Sequence, residues 1–226
     1  MVKFILKITP VWLKKAFIDF IQILIGLMNK TQLKDTPRAN PSPESIRNTK
    51  VLLNRKELIK KMPRQGVVAE LGVNEGIFSQ QILQLNDPER LFLIDIWDSK
   101  RFNQEKRRKV EEMFRTEILS DKVQIQIGFS TEIAQKFADH SFDWIYIDTD
   151  HSYQTTKNEL EAWRLKMKDT GVIAGHDYKV GNWSKMIRYG VIEAVNEFCS
   201  KYKWELIYIT LEHNKSPSFA ISKIRD

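Results

Sequence analysis

Asp148, His151, His176 and Asp177 are the residues of this chain whose types and spacing best suit chemistry. Two carboxylates, each with an imidazole close by in sequence, make a candidate site for a divalent cation or for acid/base work. Each pair stands just past a short apolar run: Trp144 to Ile147 breaks into Asp148, Asp150 and His151, and Gly171 to Ala174 breaks into His176 and Asp177. Between the runs, Leu160, Trp163 and Met167 recur at helical spacing, so residues 143 to 178 read as a βαβ unit with two parallel strands. Parallel neighbours lie about 4.8 Å apart, so adjacent strands here would bring Asp148 and Asp177 together. Ligands of open α/β sheets bind beyond the carboxyl ends of the strands, and the chemistry is expected there.

A second group of residues lies upstream. Gly66 to Leu71 reads as a buried strand, followed at once by Gly72, Asn74 and Gly76 and then by a helical pattern through Phe78, Ile82 and Leu85. Glycines in such a turn let the backbone approach a ligand, and the free N–H groups of the following helix favour polar or anionic groups. The strand Leu91 to Ile94 ends in Asp95, the usual position of an acid that holds a ribose hydroxyl pair. The strand Val123 to Ile127 ends in Gly128, Phe129 and Ser130, with the Ser130 hydroxyl placed to cap the next helix. The turn E-L-G-V-N-E-G lacks the G-x-G-x-x-G of dinucleotide sites and sets Val73 where phosphates would need room. Glu70, an acid before the turn, suits a cation instead. S-adenosylmethionine carries an ammonium and a sulfonium and no phosphate. Tyr153 and Lys157 have the Y-x-x-x-K spacing, which leaves an NAD-dependent sugar oxidoreductase as a rival reading.

These residues need a frame. The chain has 226 residues, 42% of them hydrophobic, enough for one α/β domain with an arm. Further elements are a helix over Val51 to Met62, a charged helix over residues 101 to 118, a helix over Val191 to Phe198, and two consecutive strands, Trp204 to Thr210 and Phe219 to Ile224. Residues 1–31 form an amphipathic arm with Trp12, Ala16, Phe20, Ile23, Leu24 and Leu27 on one face. Its longest uncharged run, Phe20 to Met28, is far short of the ~20 residues needed to span a bilayer. The arm could cover the core, join two copies into a homodimer, or lie on a membrane surface as a peripheral contact. Residues 32–48, with Pro37, Pro41 and Pro43, read as a linker, and residues 49–226 as the catalytic domain. The lone Cys199 reads as a small core residue of a reducing, cytoplasmic setting. A net charge of +7 suggests anionic partners, but the basic run Lys106 to Lys109 is followed by Glu111, Glu112 and Glu117, the pattern of a solvated helix rather than a nucleic-acid patch. His140 and His213 read as surface residues, Asp150 as a turn former, and Trp97, Trp183, Tyr153 and Tyr178 as cleft or core aromatics.

Taken in order, E-L-G-V-N-E-G, Asp95, G-F-S, D-T-D-H-S-Y and G-H-D-Y resemble the motifs of class I S-adenosylmethionine-dependent methyltransferases over about residues 50 to 226. The last two are similar to those of metal-dependent enzymes, the macrocin and mycinamicin sugar O-methyltransferases and the cephalosporin hydroxylase-like group, and more distantly to catechol O-methyltransferase. The resemblance implies a Rossmann-like, doubly wound seven-stranded sheet of order 3-2-1-4-5-7-6 with one antiparallel strand. It implies that Glu70, Gly72, Asn74 and Gly76 line the methionine end of S-adenosylmethionine, Asp95 the ribose, and Phe129 and Ser130 the adenine. Asp148, His176 and Asp177 match the family's metal ligands, for Mg²⁺ or Mn²⁺, and His151 matches the general base of the sugar enzymes. Position 176 is usually acidic in that family. The implied activity is metal-assisted O-methylation of a small hydroxylated acceptor such as a sugar, in which a cation lowers the pKa of the hydroxyl and His151 takes its proton.

Overall fold

The computed structural model describes residues 9–32, 36–182, 187–212 and 216–225; Trp183 and His213 lie outside them. In chain order the elements are α1 (Val11–Gln32), α2 (Pro43–Ile46), β1 (Lys50–Leu52), α3 (Arg55–Lys61), β2 (Val67–Leu71), α4 (Ile77–Asn86), β3 (Arg90–Asp95), α5 (Gln104–Met113), α6 (Arg115–Leu119) and β4 (Val123–Ile127). They continue with α7 (Ser130–Ala134), β5 (Phe142–Ile147), α8 (Tyr153–Arg164), β6 (Met167–Gly175), β7 (Gly181–Asn182), β8 (Ile187–Arg188), α9 (Val191–Tyr202), β9 (Trp204–Thr210) and β10 (Phe219–Lys223).

Eight strands form one mixed sheet in the order β4-β3-β2-β5-β6-β10-β9-β1. Strands β4 to β6 run parallel, and β10 inserts antiparallel between β6 and β9. This is the expected 3-2-1-4-5-7-6 arrangement with one strand added. The addition is β1, which pairs parallel to β9 through Lys50–Tyr208 and Leu52–Thr210. The helix expected over Val51 to Met62 is therefore shorter: Asn54, in extended conformation, accepts a hydrogen bond from Glu57 N and starts α3 at Arg55. Within the expected linker, Ser42 caps the single turn of α2 in the same way. The charged helix is broken at Phe114 into α5 and α6, with Arg107–Glu111 and Lys109–Glu105 pairs along its solvated side.

The sheet is covered on both faces, as parallel strands require. On one face Leu58 and Ile59 of α3, Ile82 of α4 and Val110 of α5 pack against Val68, Leu93, Trp144 and Tyr146. On the other, Ile133, Leu160, Trp163, Val195 and Phe198 pack against Leu71, Ile145, Ile173 and Phe219. Cys199 is a buried member of this second layer, as its pattern predicts, and burial pushes its thiol up to about 12. The arm helix α1 does not cover either layer: Trp12, Phe17, Phe20, Ile23 and Leu27 all remain exposed. No described helix is long and apolar enough to cross a membrane.

Candidate active site

The loops beyond the strand ends are fixed to the sheet before they turn. Gly72 N donates to Ile94 O, Asp148 N to Leu71 O and His176 N to Ile147 O, so the ladder runs one residue past β2, β5 and β6. Backbone strain collects just beyond these bonds. Asn74, Trp97, His151 and Asp177 all have positive φ (56°, 45°, 63° and 57°), a conformation that non-glycine residues adopt only where the surroundings impose it. Gly72 has φ 89°, and a Cβ there would lie 2.1 Å from Asp148 O. The glycine lets the turn after β2 pass against the end of β5, which seats Asp148 beside it.

At the ends of β5 and β6 the four expected residues meet. His151 Nε2 lies 3.1 Å from Asp177 Oδ2 and 3.9 Å from Asp148 Oδ1. His176 Nδ1 lies 3.6 Å from Asp148 Oδ1 and 3.6 Å from Asp177 Oδ2. Asp148, His151 and Asp177 each offer a ligand atom, all within 4.8 Å of one another, so the geometric set contains His151, which the sequence reading kept as a base outside it. Burial lowers the affinity of His176 for its proton, but the neighbouring carboxylates of Asp148 and Asp177 outweigh it and push the imidazole up to about 9. Asp177, only 6% exposed, would be raised by burial, yet His176, Ser216 and His151 hold it well below the usual carboxylate range. Among the described residues its buried Oδ1 accepts no hydrogen bond, and Lys179 Nζ lies 3.8 Å away. Two carboxylates and an imidazole, with a buried carboxylate oxygen left unmatched, fit a divalent cation.

The expected cofactor residues surround the ends of β2, β3 and β4. Asp95 Oδ2 accepts from Val73 N and Asn74 N, and Oδ1 from Trp97 N, so this acid organises the glycine turn as well as facing the cleft. Lys106 Nζ reaches Asn74 Oδ1 at 2.7 Å, and Trp97 Nε1 donates to Asn74 O. Trp97 is thus a buried prop of the turn and not a cleft aromatic. Gly76 precedes α4 in left-handed conformation and leaves the helix start without a side-chain cap, open to an anionic group such as a carboxylate. Phe129, 56% exposed at the end of β4, offers a ring face. Uncapped amides at the start of α4, an acid at the end of β3 and an exposed aromatic face at the end of β4 fit an amino acid joined to a nucleoside.

Two expectations are corrected. Glu70 does not face a ligand: its side chain is 1% exposed and takes a hydrogen bond from Ser79, because Val68 and Glu70 share the strand face on which α3 and α4 pack. Burial pushes its carboxyl up to about 8, which weakens its charge near neutral pH. Ser130 does not cap α7; the cap position is Phe129, and the Ser130 hydroxyl donates to Glu159. The Tyr153–Lys157 pair is also absorbed by structure, since both side chains bind Glu197 on α9. Burial raises the Tyr153 phenol, the wrong direction for a dehydrogenase base. His140 is exposed as expected, and Asp150 closes a turn by accepting from Ser152 N.

Sequence reasoning missed Arg55 and Glu159. Arg55 Nη1 lies 3.9 Å from Asp148 Oδ2, its guanidinium lies 4.6 Å above the Phe78 ring, and its backbone N–H donates to Glu212. Glu159, 1% exposed on α8, accepts from Ser130 and from Thr149, tying the end of β4 to the end of β5. Burial pushes it up to about 7 against those two hydrogen bonds.

Residues 69–178 match the family model described as a methyltransferase domain. No curated protein sequence matches the chain significantly. Solved structures with the same fold include a tRNA methyltransferase from B. subtilis (TM-score 0.56, 15% identity, covering 77% of this chain and 67% of that one). A precorrin-6y methyltransferase from Geobacter metallireducens is similar over 75% of this chain and 86% of its own (TM-score 0.56, 14% identity). A spermidine synthase is similar at TM-score 0.52 and 15% identity, over 76% of this chain and 59% of that one.

Proposed function

We propose that this enzyme, an S-adenosylmethionine-dependent methyltransferase by the domain it carries and the fold it adopts, methylates a hydroxyl of a small polyhydroxylated acceptor such as a sugar, with a divalent cation held by Asp148 and Asp177. The observation that carries this reading is the convergence of those two carboxylates with His151 and His176 at the ends of adjacent parallel strands. S-adenosylmethionine supplies an electrophilic methyl on a sulfonium, and Mg²⁺ or Mn²⁺ supplies a Lewis acid that lowers the pKa of a hydroxyl. The chain's own residues do the rest. Asp95 receives the ribose hydroxyls, the open start of α4 receives the amino-acid carboxylate, and Phe129 covers the base. Asp148 and Asp177 would hold the cation, which would fix the acceptor oxygen, with His176 beside them. His151 accepts the hydroxyl proton, its ring oriented by the contact of Nε2 with Asp177. A sugar with neighbouring hydroxyls suits a site in which two oxygens can face one cation.

A second reading is favoured by the 4.8 Å grouping, in which His151 is itself the third ligand. Cation affinity separates the two: His151→Ala leaves it unchanged if the imidazole is the base and weakens it about tenfold or more if it is a ligand. The main test is methyl transfer from labelled S-adenosylmethionine to sugar and phenolic acceptors, with and without a chelator, for the wild type and Asp148→Ala. Turnover is expected on sugars and is abolished by chelator or by the substitution, while binding of the demethylated cofactor persists. Full activity under both conditions overturns the metal-assisted reading.

A further inference from the structure

The arm accounts for most of the chain's charge. Over residues 1–31, five lysines (Lys3, Lys7, Lys14, Lys15 and Lys30) stand against one acid, Asp19, and supply four of the seven excess positive charges. The same stretch holds the largest exposed apolar surface. Trp12 is 69% exposed, Phe17 66% and Ile23 61%, with Leu13, Phe20, Leu24, Leu27 and Met28 also uncovered. On α1 the polar positions Lys15, Asp19, Gln22 and Gly26 follow one another at steps of four, three and four, which confines them to one narrow stripe. From Val11 to Met28 the other positions are apolar except Lys14, which borders the stripe, and the helix ends in the polar run Asn29 to Gln32.

We propose that α1 docks on an anionic lipid surface, lying in the headgroup layer with its apolar side buried and its lysines against the phosphates. Charge complementarity selects this occupant over a second copy of the chain. Two arms packed face to face would bring their lysines together with only Asp19 on each to offset them, whereas a lipid phosphate layer converts every lysine into an attraction. Tryptophan and phenylalanine beside lysine on an apolar helix are the composition of an interfacial element, and α1 is not apolar enough to cross the bilayer. The stretch after it is tethered where the body can use the docking. Asn196 Nδ2 donates to Ala39 O at 3.0 Å, and the same Asn196 accepts from Tyr178, the residue after Asp177. A docked arm therefore holds the body with the Tyr178 side near the lipid.

The test is co-sedimentation of the full chain with vesicles of phosphatidylcholine alone and of phosphatidylcholine with phosphatidylglycerol. Binding is expected to the anionic vesicles only, to weaken with salt, and to fall roughly tenfold or more for Lys14→Gln with Lys15→Gln. Phe20→Glu should abolish it without changing the thermal unfolding of the body, since Phe20 is no part of the core. Equal binding to neutral vesicles, or none to either, overturns the proposal. So does concentration-dependent self-association without lipid that the paired lysine substitutions strengthen, because a second copy would then be the occupant.

Discussion

Replacing Glu159 by Gln should leave the protein near wild-type stability at pH 5 and strengthen it in base. The carboxyl is 1% exposed, and burial pushes it from 4.5 up to about 7 although Ser130 and Thr149 both donate to it. The folded state thus holds the proton more tightly than the unfolded state. The stability that this proton confers is full below about pH 4.5 and is lost as pH rises through about 7. At about 1.4 kcal/mol per tenfold change in proton affinity the total is about 3 kcal/mol, of which about 2.5 kcal/mol falls between pH 5 and pH 9. Gln has the same shape and no ionisation to lose. Its amide nitrogen cannot accept, so one of the two hydroxyl bonds is forfeited at a cost of about 1 kcal/mol. Glu159→Gln should therefore lie close to wild type at pH 5, where the part of that stability already lost nearly offsets the forfeited bond, and be more stable by about 2 kcal/mol at pH 9. Urea denaturation at pH 5, 7 and 9, followed by the fluorescence of the buried tryptophans, Trp97, Trp144, Trp163 and Trp204 among them, measures both. A difference between the two proteins that stays constant across this range would refute the reasoning.

Three further outcomes follow from the geometry. Gly72→Ala forces a side chain into positive φ and against Asp148 O, and should destabilise by about 3 kcal/mol or more with loss of methyl transfer; a melting temperature within about 2 °C of wild type would contradict this. Asp95→Asn replaces an acceptor that serves both the turn and the expected ribose, and calorimetry should show S-adenosylmethionine affinity reduced about tenfold or more. Arg55→Met removes a positive charge 3.9 Å from Asp148 Oδ2 and should tighten divalent-cation binding roughly tenfold in a metal titration, whereas weaker binding would mean that Arg55 props Asp148 in place.

Much of this frame was legible because its signals are local. Apolar runs that end in an acid, at Asp95, Asp148 and Asp177, mark parallel strands and their carboxyl ends together, and the helices between them repeat at their own period. Strand β1 was not legible, since three residues that also suit a helix become a strand only by pairing with β9. That boundary hid Arg55, which a helix from Val51 would have placed in its second turn and not at a mouth facing Asp148. Ser130 illustrates the opposite error: S-T-E-I fits a cap, but a carboxyl 29 residues away on α8 is the stronger partner for its hydroxyl. Glu70 could have been read correctly from its two-residue spacing with Val68, which assigns it to the layer under α4.

The acids of this cleft divide by what surrounds them, and the division sets what each can do. Five carboxyls, Glu70, Asp95, Asp148, Glu159 and Asp177, converge on the ends of four neighbouring strands, and five negative charges there would repel one another at close range. Glu70 and Glu159 ease this by burial, which raises both carboxyls, and each accepts hydroxyl donors, Glu70 from Ser79 and Glu159 from Ser130 and Thr149. Asp148 and Asp177 lie beside Arg55, His176 and Lys179. Asp95 accepts from three backbone amides. Substitutions of the buried pair should therefore register first in stability and its pH dependence. Substitutions of Asp95, Asp148 and Asp177 should register first in the affinity for cofactor and cation, because these carboxylates stand at the strand ends that border the cleft.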